Sequence, residues 1–89
     1  MGKLSNETIT LIKNYVLPRL KITRITANDI DDVMDVLLSK ITDLVMDIEE
    51  DGHTTEENYS LLKEFDAAFD DINETEEIDF NDLNERLKQ

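Results

Sequence analysis

Residues 26–52 read TANDIDDVMDVLLSKITDLVMDIEEDG, and the way this stretch folds decides the architecture of the chain. Ile30, Met34, Leu37, Ile41, Leu44 and Ile48 recur at spacings of 4, 3, 4, 3 and 4. On a helix that spacing makes one apolar seam with a heptad period. Val33, Leu38 and Val45 lie beside the seam and are expected to widen it into a face for a globular core. Asp29, Asp31, Asp32, Asp35, Asp43 and Asp47 fill the opposite side. Thr26 with Asp29 three positions on is close to a capping box, and Gly52 is the expected stop. The predicted helix over 27–51 is about 37 Å long at about 1.5 Å per residue.

Working outward, Ser5 or Asn6 can cap a first helix carrying Ile9, Ile12, Val16 and Leu20 at helical spacing. Pro18 has no N–H to donate and crowds the preceding turn, so this helix is expected to kink or stop near Leu17. Residues 21–26 are rich in β-branched side chains and read as a connector, with a short strand as the alternative. Thr54 and Glu57 form a second capping box, opening a third helix to about Ile72. Its seam is Tyr59 or Leu62, then Phe65, Phe69 and Ile72. After a polar break at 73–77, Asp79 caps a short last helix with Phe80, Leu83 and Leu87 on its apolar edge. The expected fold is therefore all-α and a single domain over 1–89. It is a small antiparallel bundle of three long helices, the first broken or kinked near Pro18, plus a short C-terminal helix.

Charge is the strongest compositional fact. The 89 residues carry a formal net charge of −13. Residues 1–28 hold Lys3, Lys13, Arg19, Lys21 and Arg24 against Glu7 alone, a charge of +4, and residues 29–89 hold the remaining −17. So negative a surface repels nucleic acid and anionic membranes, and it speeds encounter with basic partners at low salt. With no cysteine, no apolar leader and no apolar run long enough to span a bilayer, the chain reads as cytoplasmic.

Catalytic chemistry finds little to work with. His53 is the sole histidine, Gly2 and Gly52 are the only glycines, and Ser5, Ser39 and Ser60 sit in no nucleophile motif. No cofactor, metal ligand or catalytic residue is assigned, and the chain is read as a non-enzyme. Calcium is the nearest metal reading. Asp47–Gly52 matches the first half of an EF-hand loop, but Asn58 stands where a bidentate glutamate is needed. A second frame from Asp71 through Asn73, Thr75, Ile78 and Asp82 has Glu76 in place of the turn glycine.

The acidic faces carry the sharper expectation. Carboxylates four residues apart on a helix are about 6 Å apart along its axis, near the span of two phosphate steps of about 3.4 Å. Asp31, Asp35, Asp43, Asp47 and Glu50, continued by Glu64, Asp71 and Glu74, are the candidate partner-binding residues. They suit a small acidic inhibitor or regulator, in its sharpest form a DNA mimic, that docks on a basic nucleic-acid-binding protein. Inhibitors from phage and mobile elements offer an analogy of size and charge, with no shared motif. A structural or oligomeric adaptor, assembling through helix packing and the basic–acidic asymmetry, is the alternative and includes a homodimer. A degenerate calcium-binding module is the third reading.

Overall fold

The computed structural model describes residues 2–51 and 56–89. The chain is all-α. Helix α1 (Asn6–Leu11) leads through a π-helical turn (Ile12–Val16) into α2 (Leu17–Leu20). A 3₁₀ turn (Ala27–Asp29) opens α3 (Ile30–Asp51), and α4 (Glu56–Glu74) and α5 (Phe80–Leu87) complete the order. Gly52, His53 and Thr54, which carry the expected helix stop, the histidine and the second cap, lie outside the described residues.

Of the two outcomes expected at Pro18, a kink or a stop, the stop does not occur. The helix passes through it and continues to Leu20, so it does not stop at Leu17. The disturbance lies upstream, in the π turn, where the Leu17 N–H donates to Ile12 O, five residues back. A proline leaves the carbonyl four residues before it without a donor, and a widened turn is one way for a helix to accommodate that loss. The end at Leu20 is formed by Lys21, whose φ of 57° is left-handed, and by Ile22 N–H donating to Leu17 O at 3.3 Å.

Residues 21–26 form no strand. Ile25 is nevertheless fully buried, and its backbone is hydrogen-bonded by a side chain from α5. The Thr26 cap forms as read, with the Asp29 carboxylate accepting from the Thr26 amide at 2.9 Å. Ser5 caps α1 and Asp79 caps α5, each accepting an amide hydrogen bond from three residues on.

One contiguous core joins Ile9, Ile12 and Val16 with Val33, Leu37 and Leu44, Phe65, Ala68 and Ile72, and Leu83 and Leu87. The axis of burial on α3 is therefore Val33, Leu37 and Leu44, which keeps two members of the seam read in the sequence and lies about 40° round from its centre. Met34, Ile41 and Ile48 are only half-buried. Leu38 and Val45, expected on the core face, are 49% and 38% exposed. The correction has a simple physical reason. α3 packs chiefly on α4 and also meets the π turn and α2, and these contacts leave Leu38 and Val45 exposed. The molecule is correspondingly long, 43 × 24 × 22 Å, with a radius of gyration of 13.6 Å against about 12 Å for a compact chain of this length.

The N-terminal segment is clipped to the α4–α5 connection. Gly2 N–H donates to Glu77 O at 3.0 Å and Gly2 O accepts from Asp79 N–H at 2.9 Å, making a single parallel bridge. Leu4 is buried behind it, and its carbonyl accepts from the Arg86 guanidinium at 2.6 Å.

Candidate functional site

The eight acids singled out from the sequence fall into two groups. Asp31, Asp35, Asp43, Asp47 and Glu50 are exposed along α3, and Glu64 and Glu74 are exposed on α4. Asp71 is half-buried, and its carboxylate is turned inward. It accepts from Ser5 N–H at 2.9 Å and from the Thr8 hydroxyl at 2.7 Å, fastening the start of α1 to α4. Burial raises the Asp71 pKa. The hydrogen bonds from Ser5 and Thr8 and the positive charge of Arg86 outweigh that effect and hold it below the usual aspartate range. One oxygen of that carboxylate, Oδ2, is thus committed to the start of α1.

The α3 acids do not form one line. At about 100° per residue, Asp31 and Asp47 are about 160° apart around the helix. Asp35 and Asp43 border a shallow depression of about 330 Å³ that Arg19, Lys40 and Tyr15 also line. Arg19 lies over the Tyr15 ring at 4.3 Å and Lys40 at 6.0 Å, while the Tyr15 and Phe65 rings meet edge to face with centroids 4.9 Å apart. Two cations are thus held beside Asp35 and Asp43, and they locally offset the negative charge there. Periodicity alone does not show this arrangement. Its one signal in the sequence is the isolated Lys40 within an acidic helix.

Among the described residues the ion pairs are Arg86–Asp82 within α5 and Lys88–Glu85 at its C-terminal end. The exposed acids of α3 and α4 have no such pairing among those residues. A wider groove of about 760 Å³ runs between α1 and α4, with Leu11, Tyr15, Leu61 and Phe65 among its lining and Glu7, Lys63 and Glu64 at its edge.

Neither calcium frame supplies a loop among the described residues. Asp71 and Asn73 belong to α4 and Asp82 to α5, so the second frame is largely helical and its oxygens do not converge. The first frame runs partly outside the described residues. No group of three His, Cys, Asp or Glu side chains suited to a metal occurs among those described. No described helix is long and apolar enough to cross a membrane. The Ser5 hydroxyl serves as a helix cap, and Ser39 and Ser60 are exposed. Compared with protein-family models, curated proteins and solved structures, the chain gave no match.

Proposed function

We propose that this chain is a non-catalytic protein-binding module, an acidic inhibitor or regulator that docks on a partner with a basic surface. The observation that carries this reading is the set of exposed carboxylates on α3 and α4 without an ion-pair partner among the described residues, in a molecule of net charge −13. Unpaired like charges on one long helix sum to a potential that reaches beyond single contacts and steers a basic protein toward it. A partner that itself binds nucleic acid offers such a surface, and DNA mimicry is the narrow form of the proposal. The spread of the α3 acids around the helix favours the broader form, docking by charge, over imitation of a single phosphate strand. Helix packing suits this role, because α3 and α4 lie against each other and carry their acids side by side.

The test is capture of a basic DNA-binding protein on the immobilised chain. Retention is expected at low salt, with release as ionic strength rises from about 0.05 M to about 0.5 M. Displacement of the captured protein by duplex DNA would identify the nucleic-acid site as the docking site. Reversal of Asp31, Asp35, Asp43 and Asp47 to lysine should abolish capture while the thermal unfolding transition persists. Undiminished capture by that variant would overturn the proposal.

The oligomeric-adaptor reading has one observation in its favour, the exposed Leu38 and Val45 on α3. Sizing at two protein concentrations tests it, since self-association through that flank requires a species that grows with concentration.

A further inference from the structure

α3 presents a second apolar line that the other described elements cover only in part, Met34 and Ile41 packing against the core. Met34, Leu38, Ile41, Val45 and Ile48 repeat at spacings of 4, 3, 4 and 3. Leu38 and Val45 are its most exposed members, at 49% and 38%. The α1–α2 helix lies on the other side of α3, because Tyr15 and Arg19 share a depression with Val36 and Asp43. Leu38 and Val45 come two residues after these, about 160° away around the helix. On α4, Leu61 and Ala68 line the groove toward α1. Leu62 and Phe69 each follow by one residue, about 100° round, and so fall on the flank away from α1. Both are only half-buried, and Tyr59 on the adjoining face is 48% exposed. The open side of the α3–α4 pair is therefore an apolar strip running through more than three helical turns.

The margins of that strip fix the chemistry of what covers it. Asp31 and Glu49 stand on its α3 edge and Asp66 and Asp70 on its α4 side, all exposed, while Lys63 lies over the Tyr59 ring at 4.6 Å, so the margins are acidic in the balance of four carboxylates to one ammonium. Arg19 and Lys40 belong to the opposite flank of α3. An apolar strip with acidic margins matches a helix that is apolar on one face and basic on the others. A second copy of this chain matches poorly, because each copy brings a charge of −13 and acidic margins to the same contact.

We infer that the open α3–α4 flank, centred on Leu38 and Val45, docks a basic amphipathic helix of a partner protein. The inference rests on the protein-binding reading above, and it adds a groove, an occupant and a requirement for apolar pattern that charge docking alone does not make. The α1–α4 groove is the competing location, but Glu7 and Glu64 are the acids of its lining, beside Lys63 and uncharged polar side chains such as Asn6, Thr10 and Asn14, so its margin is less acidic than that of the strip.

The probe is a synthetic helical peptide of about four turns with leucines on one face and lysines elsewhere, compared with a scrambled peptide of identical composition. Binding to the full chain is followed by amide chemical shifts and by titration. The patterned peptide is expected to bind at least about tenfold more tightly than the scrambled one, with shifts centred on residues 34–48. Leu38→Ser with Val45→Ser should remove that advantage while preserving the unfolding transition, since both positions are exposed. Equal, salt-sensitive binding of both peptides would overturn the groove and leave charge docking standing. Shifts centred on Leu11 and Ala67 would overturn the location. Binding of neither peptide at low salt would overturn the groove together with charge docking on basic partners. A wild-type dimer that the double serine variant converts to a monomer would assign the flank to a second copy and overturn the inference.

Discussion

The side-chain amide of Asn84 holds both backbone groups of Ile25. Its Oδ1 accepts the Ile25 N–H at 2.7 Å and its Nδ2 donates to the Ile25 carbonyl at 2.8 Å. An adjacent strand would offer the same pair of hydrogen bonds, so one asparagine on α5 satisfies a connector residue that has no sheet to join. The same Nδ2 also donates to Phe80 O at 2.8 Å, which fixes the direction of the amide. Asn84→Ala leaves both Ile25 groups unpaired beside a fully buried side chain, and each such group costs about 1–3 kcal/mol. The expected loss is about 2–4 kcal/mol, read by chemical denaturation. Asn84→Asp retains the acceptor and removes the donor, so it should also destabilise; a stability equal to wild type in both variants would show that Ile25 does not depend on this bracket.

Asp71 predicts a definite pH response. Its folded-state pKa is lowered, so between the folded and unfolded values the unfolded chain binds more protons and stability rises with pH. Its contribution is complete above the ordinary aspartate value of about 3.9 and is lost as pH falls through the lower folded-state value. Asp71→Asn should therefore be less stable than wild type at pH 7, and the gap should close below about pH 4. Urea melts across that range measure it. A gap that is constant with pH would mean that the Ser5 and Thr8 hydrogen bonds do not discriminate the ionised form.

These two side chains mark where the sequence was legible and where it stopped. Helical periodicity located α3, α4 and α5, and the caps at Ser5, Thr26 and Asp79 fell where short polar side chains precede apolar runs. The partners of Asn84 and Asp71 lie 59 and 66 residues away, and nothing local signals them. The face of α3 that would be buried was also ambiguous. Met34, Ile41 and Ile48 belong to two apolar lines at once, one with Leu37 and Leu44 and one with Leu38 and Val45. Only the positions of the other helices decide which line is covered. The same limit applied to the acids: spacing placed them on helices, while the inward turn of Asp71 and the cations beside Asp35 are tertiary facts.

Gly2 should tolerate no side chain. A Cβ there would meet the Thr75 methyl and lie 2.9 Å from the Glu76 carbonyl, while both Gly2 backbone groups are engaged with the α4–α5 connection. Gly2→Ala is expected to cost about 1–3 kcal/mol as overpacking, with the bridge displaced. Thr75→Ser removes the methyl but leaves the Glu76 carbonyl in place, so it should restore only part of the loss. Hydrogen exchange at the Asp79 amide, which donates to Gly2, reads the bridge directly. Protection unchanged by Gly2→Ala would show that the clip shifts without opening.

Lys21 takes a left-handed conformation, φ 57°, at the end of α2. For a residue with a Cβ that conformation costs about 1–2 kcal/mol, whereas glycine adopts it freely and loses about 0.5–1 kcal/mol through greater freedom of the unfolded chain. Lys21→Gly should therefore stabilise the fold, by up to about 1 kcal/mol. Lys21→Val should destabilise it, because branching at Cβ makes positive φ still less favourable. Thermal melts of the two variants should bracket the wild type, and the reverse order would place the cost of this turn elsewhere.

Arg19 and Lys40, held over the Tyr15 ring, offset part of the negative field beside Asp35 and Asp43. Replacing both with glutamine makes the net charge two units more negative without adding a carboxylate. Association with a basic peptide or protein should then become faster by about two- to fivefold at low salt, with the difference fading as screening shortens the field. Stability should fall by about 0.5–1 kcal/mol for each cation–π interaction removed at this exposed site. Lys63→Gln is the control, because Lys63 lies over Tyr59 on α4 and carries the same charge away from the Tyr15 depression. Stopped-flow association at two salt concentrations distinguishes the outcomes. If all three substitutions accelerate binding equally per charge removed, net charge alone steers the partner; a larger effect at Arg19 and Lys40 would place its approach along the Asp35–Asp43 side of α3.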